Sequence, residues 1–133
     1  MKIGLLSLFL LFLGLLNSSA ADSGWAGNYT DKKFLDGTAV FQLNIVQEGN
    51  QISVDFDAVY NDGHGCAPQA NGPAKVVDKN TLTFTFTDSS NNSGSGTIKR
   101  TADGAMISVK PIRVADARCV VFYRDNIRLK PAH

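Results

Sequence analysis

The sequence predicts an all-β fold: a small antiparallel meander of about eight strands carrying one disulfide. Three observations predict it. Beyond residue 20 the chain holds 24 β-branched residues (10 Val, 6 Ile and 8 Thr) against four Leu, a bias that suits pleated, half-buried surfaces. Apolar and polar residues alternate with a period of two in several runs, and no window carries the 3.6-residue period of an amphipathic helix. Short turn signals separate those runs.

Taken in order, strands are expected near residues 25–30, 39–47, 51–60, 74–77, 81–87, 95–101, 105–110 and 118–129. In the second, Phe41, Leu43 and Ile45 share one face, with Gln42 and Asn44 opposite. In the third, Ile52, Val54, Phe56, Ala58 and Tyr60 alternate with Ser53, Asp55 and Asp57. In the fifth, Leu82, Phe84 and Phe86 alternate with four threonines, Thr81 to Thr87. The turns Glu48-Gly49-Asn50, Asp78-Lys79-Asn80 and Ala102-Asp103-Gly104 separate neighbouring strands, and Asp125-Asn126 breaks the last one. Two connections exceed hairpin length, 61–73 and the Ser/Asn-rich 88–94. Short strands at such spacing close into a barrel of the lipocalin or calycin kind, or fold into a sandwich. A barrel has the further merit of leaving no exposed edge strand. The aromatic residues fall mostly on the inward faces, enough to fill a barrel of this length.

Residues 1–20 read as an export signal. Met1-Lys2 is a one-charge start, residues 3–16 are almost wholly apolar, and small residues follow at 17–21, the three parts of a cleavable secretory leader. Fourteen residues of helix span only about 21 Å, against roughly 30 Å of bilayer core, so no membrane span is expected. Residues 21–133 then form a single domain with 12 basic and 12 acidic residues. A neutral domain lacks the electrostatic footprint of a nucleic-acid binder. The expected location is periplasmic or secreted, and an oxidising compartment suits a bridge between Cys66 and Cys119, the chain's two cysteines. Charge is nonetheless uneven. Residues 21–96 carry a net −5 and residues 97–133 a net +5, so neighbouring late strands predict a positive side suited to an acidic partner.

No motif announces catalysis. His64 lies in Asp62-Gly63-His64-Gly65-Cys66, a tight turn, but no spacing supplies the nucleophile and orienting acid that a catalytic histidine needs. A partner contact is the better expectation for it. Asp55 and Asp57 share a strand face; paired acids can hydrolyse glycosides, yet on the outward side of an alternating strand they read as the wet face. With the cysteines paired, one internal histidine and scattered acids make no metal site. Nothing calls for a cofactor. Ser93-Gly94-Ser95-Gly96 lacks the lysine and helix of a phosphate loop.

That Ser-Gly-Ser-Gly run carries a resemblance. Together with the leader, a β domain of just over a hundred residues and one disulfide, it resembles the small bacterial periplasmic inhibitors of lysozyme, in which such a loop leads to a tyrosine and then a downstream lysine. Here Thr97-Ile98-Lys99 follows, the tyrosine is absent, and Lys110 is the nearest counterpart of the lysine. The resemblance implies that Ser93, Ser95 and Lys110 approach the catalytic acids of a muramidase, a role shared in architecture with immunity proteins against wall-degrading toxins. With His64 and Arg113 as further candidate contacts, the expectation is an exported, non-catalytic protein that binds and neutralises a cell-wall-active enzyme. Its rivals are a lipocalin-like carrier with a cavity bounded by Phe41, Phe56 and Phe84, and a small secreted hydrolase built on His64.

Overall fold

The computed structural model describes residues 24–132. They form a closed barrel of eight antiparallel strands in sequence order. These are β1 (Gly27–Lys33), β2 (Ala39–Glu48), β3 (Gln51–Tyr60), β4 (Gln69–Asp78), β5 (Thr81–Thr87), β6 (Ser93–Thr101), β7 (Gly104–Arg113) and β8 (Ile127–Pro131). The sandwich is thereby excluded, because β8 returns to pair with β1 at Tyr29↔Pro131 and Thr30↔Lys130. The domain expected over residues 21–133 is one barrel where it is described, and the predicted leader lies outside the described residues.

Strand alternation sets the inside. Phe41, Leu43, Ile45, Val54, Phe56, Leu82, Phe84, Ile98, Ile107, Val109 and Leu129 are buried, while their immediate neighbours along each strand face outward. Phe56 sits at the centre, with ring centroids 5.8 Å from Phe41, 6.0 Å from Phe84 and 5.2 Å from Phe86. Each such ring stabilises the fold by about 1.5–3 kcal/mol through burial alone. The interior is therefore packed with aromatic side chains where a carrier would hold its ligand.

The two ends differ. At one, tight turns join β2 to β3, β4 to β5 and β6 to β7. Trp25 is buried at this end. Its backbone N–H donates to Gln47 Oε1 at 3.1 Å, and the Arg100 guanidinium lies 3.8 Å from the ring centroid, a cation–π contact. At the other end the connections are longer. A short helical turn, Phe34–Gly37, has Leu35 and Asp36 at positive φ, and residues 61–68, 88–92 and 114–126 complete the cap. Phe34 and Phe122 stack there at 6.2 Å, with Tyr60 5.1 Å from Phe122. The Cys66–Cys119 disulfide ties two of these connections together.

Three expected boundaries are corrected. The fourth strand starts at Gln69, five residues before the predicted 74, because Gln69 to Pro73 pair with β3 despite their turn-forming composition. The expected strand 118–129 is instead a 310 helix, Ala117–Phe122, followed by β8. Its apolar run packs Cys119 and Phe122 into the cap, and Asn126 at φ 58° marks the predicted break. Ser93 and Gly94 belong to β6 and not to a loop. No helix among the described residues is long and apolar enough to cross a membrane.

Candidate functional site

The Ser-Gly-Ser-Gly run owes its glycines to packing. Gly94 pairs with Phe86 and Gly96 with Phe84 across β5 and β6. A Cβ built on Gly96 would collide with the Phe84 ring, and one on Gly94 with the β7 backbone at Lys110 and Pro111. Both glycines face inward, so the strand period turns Ser93, Ser95, Thr97 and Lys99 outward. The motif that resembled a probing loop is thus a flat wall.

That wall has chemistry of its own. On β7 the outward residues are Met106, Ser108, Lys110 and Ile112, and the register sets Ser95 opposite Lys110 and Thr97 opposite Ser108, with Ser93 opposite Arg113 beyond a register shift at Gly94. Directly opposed side chains have Cβ atoms about 4.5–5.5 Å apart, so the hydroxyls and the ammonium share one patch. A shallow cleft of about 300 Å³ lies over part of it, lined by Thr97, Lys99, Met106, Ser108 and Lys110 with the flanking Asp125 and Asn126. Among the described residues the ion pair present is Arg118–Asp116, at 2.8 Å; it holds the Asp116 carboxyl below its usual range, through the Arg118 side-chain hydrogen bond first. Lys99, Lys110 and Arg113 have no such partner among the described residues, although the charge of Lys99 helps to hold the Asp78 carboxyl below its usual range, after the hydrogen bonds it accepts from Asn80 and Thr81. Barrel closure extends the positive surface further, since Arg128 on β8 pairs with Met106 on β7, and Lys130 on β8 with Thr30 on β1.

Four of the five expected contacts are therefore gathered: Ser93, Ser95, Lys110 and Arg113. His64 is not. It is exposed in the 61–68 connection, with its backbone N–H donating to Asp62 Oδ1 at 2.9 Å, and no hydrogen bond among the described residues links its ring to a Ser, Asp or Glu. Arg128 and Lys130 belong to the late basic excess read from the sequence but are not singled out there as contacts. Their alternation with Ile127 and Leu129 marks them as outward-facing, but only closure shows which wall they join.

Above the patch, the cap is held by a buried polar network. Asp88 and Asn92 are 4 % and 0 % exposed. Asp88 Oδ1 accepts from the N–H groups of Ser90 (2.9 Å) and Asn92 (3.0 Å), while Oδ2 accepts from Asn92 Nδ2 and the Tyr123 hydroxyl. Asn92 Oδ1 accepts from the N–H groups of Ala115 (2.7 Å) and Asp116 (2.9 Å). Nδ2 also donates to the Tyr123 oxygen at 2.9 Å. Burial, then the hydrogen bond to Asp88, pushes the Tyr123 hydroxyl far above the ordinary tyrosine range. These groups satisfy one another, which makes the network a clasp between residues 88–92 and 114–123. No buried side-chain nitrogen or oxygen among the described residues lacks a partner.

The disulfide sulfurs and an Asp116 oxygen lie within 4.8 Å of one another. Both sulfurs are committed to the S–S bond, and a metal needs thiolates. Comparison with known protein families, with curated proteins and with solved structures finds no match.

Proposed function

We propose that this is an exported, non-catalytic binding protein whose β6–β7 wall docks on the acidic active-site region of a cell-wall-degrading enzyme and neutralises it. One observation carries the reading: Ser95 and Lys110, fifteen residues apart in the chain, are direct cross-strand partners on an outward face whose lysines make no ion pair among the described residues. A muramidase presents two carboxylates at its cleft. Hydroxyls beside an ammonium and the Arg113 guanidinium complement them through charge-assisted hydrogen bonds. Because cross-strand pairing on both sides fixes the backbone of the wall, little backbone freedom is lost on docking, which favours affinity. A flat wall covers the mouth of a cleft; it does not thread into it. The packed interior weighs against a carrier of apolar ligands, and the isolated His64 against a hydrolase.

Inhibition of purified chicken-type lysozyme and of a wall amidase by the mature protein tests the proposal. At least one should lose activity at stoichiometric protein, and Lys110→Glu should weaken inhibition by about a hundredfold, as expected when an interfacial cation becomes an anion. Full activity of both enzymes at excess protein, or inhibition indifferent to Lys110→Glu and Ser95→Asp, refutes it.

A further inference from the structure

On another part of the barrel, four neighbouring strands place unlike polar groups in one register row. Lys130 on β8 pairs with Thr30 on β1, Thr30 with Gln42 on β2, and Gln42 with Asp57 on β3. All four point outward. At about 4.8 Å between strands, the row runs roughly 14 Å from an ammonium to a carboxylate, with a hydroxyl and an amide between them. The adjacent row repeats the pattern with amides: Asn28, Asn44, Asp55 and then Asn71 on β4.

Two clefts lie over these rows. One, of about 570 Å³, holds Lys32, Lys33, Arg128 and Lys130 with Asp31. The other, of about 340 Å³, holds Asn28, Asn44, Asp55 and Asp57. Thr30 and Gln42 line both, so the clefts form one groove across the wall. The cationic half exists because the β1–β8 ladder ends at Thr30↔Lys130 while β1 runs on to Lys33. Asp31 accepts from the Lys33 backbone N–H at 3.0 Å, and none of the four cations has an ion-pair partner among the described residues. At the other half, the side chains of Gln42, Asn44, Asp55 and Asp57 make no hydrogen bond to any described residue. Partial burial raises the proton affinity of both carboxyls, and Asp55 adds to the rise at Asp57.

We infer that this groove binds an acidic saccharide. Planar amides and carboxylates take neighbouring sugar hydroxyls as donors and acceptors, and Asp55 with Asp57 accepts hydroxyl protons that no protein group supplies. The Lys32, Arg128 and Lys130 cluster takes the sugar's carboxylate or phosphate, with Arg128 able to bind it in two-pronged fashion. Arg128 and Lys130 border both this groove and the positive surface that continues from the β6–β7 patch, whereas Thr30, Gln42, Asp55 and Asp57 belong to the groove alone, so the Asp57 variant tests it independently of that patch.

The test is a chemical-shift titration of the mature protein with three probes: tetragalacturonic acid, neutral tetra-N-acetylchitotetraose and inorganic pyrophosphate. The acidic tetrasaccharide should move amides of β1, β2, β3 and β8 and bind about tenfold more tightly than the neutral one. Arg128→Ala with Lys130→Ala, and separately Asp57→Asn, should each weaken it by about tenfold; the Asp57→Asn variant keeps shape, and its thermal midpoint reports folding. No shifts at millimolar acidic saccharide overturn the inference. So do equal affinity for the neutral probe, or a response to pyrophosphate alone that Asp57→Asn leaves unchanged, which would mark a simple anion patch.

Discussion

Replacing Asn92 with alanine should open the capped end of the barrel. The side chain makes four hydrogen bonds, two as acceptor from Ala115 and Asp116 and two as donor to Asp88 and Tyr123. The residues around the two backbone N–H groups are partly exposed, so water recovers part of each loss, leaving about 1 kcal/mol apiece. The bond to the buried Asp88 carboxylate is charge-assisted and adds about 1.5–2 kcal/mol. With the bond to Tyr123 left out, because that hydroxyl keeps Asp88 as its partner, the sum is about 3.5–4 kcal/mol, which for a domain of this size lowers the melting midpoint by roughly 14–16 °C. Urea unfolding followed by Trp25 fluorescence reads it cleanly, because the single tryptophan lies at the opposite end and reports global unfolding. A companion variant sharpens the argument. Asn92→Asp keeps the acceptor but sets a second carboxylate against Asp88, raising the folded-state pKa of the pair. Its stability should therefore be greatest at low pH and fall as pH rises toward neutrality. A loss below about 1 kcal/mol for Asn92→Ala, or an Asn92→Asp variant whose deficit does not change with pH, would show that the clasp is not what holds the cap.

Three further outcomes follow from the same geometry. Tyr123 has a raised pKa in the folded state, so its contribution is complete below the unfolded value of about 10 and fades as pH climbs above it; urea midpoints should fall between pH 10 and 11, less steeply in Tyr123→Phe, and absorbance at 295 nm should show one of the three tyrosines ionising only on unfolding. Gly96→Ala should destabilise by about 1–3 kcal/mol through overpacking against Phe84, with Phe84→Leu restoring part of the loss in the double mutant. Joint Cys66→Ser and Cys119→Ser, which frees a loop of sequence separation 53, should cost up to about 4 kcal/mol by the chain-entropy account, measured as the shift of the urea midpoint at constant slope.

Much of the barrel is legible residue by residue. The alternation through Phe41, Leu43 and Ile45, and through Leu82, Phe84 and Phe86, records which face of each strand is buried, because a half-buried strand must repeat every two residues. The Ser93–Gly96 run was legible only as composition. Ser and Gly are turn formers, and the reason for glycine there, a phenylalanine on the neighbouring strand, is written elsewhere in the chain. The run at residues 118–123 misled in the opposite direction: Val120, Val121 and Phe122 have strand propensity, yet a packing site under the cap and the bond from Cys119 to Cys66 bend them into a 310 helix. Asp55 and Asp57 were legible as an outward pair, but not as flanked by amides on both neighbouring strands.

From its own residues the chain determined its class, its strand number, its inward faces and its cysteine pairing, because each follows from local periodicity or from having no alternative partner. Tertiary structure decided which walls exist. Closure of β8 onto β1 carries Lys130 next to Thr30, a hundred residues away, and register across β6 and β7 sets Ser95 against Lys110. Neither juxtaposition has a local signature. The outward faces satisfy the same two-residue period in any register, and only the fit of inward side chains such as Phe84 over Gly96 selects the one that is formed.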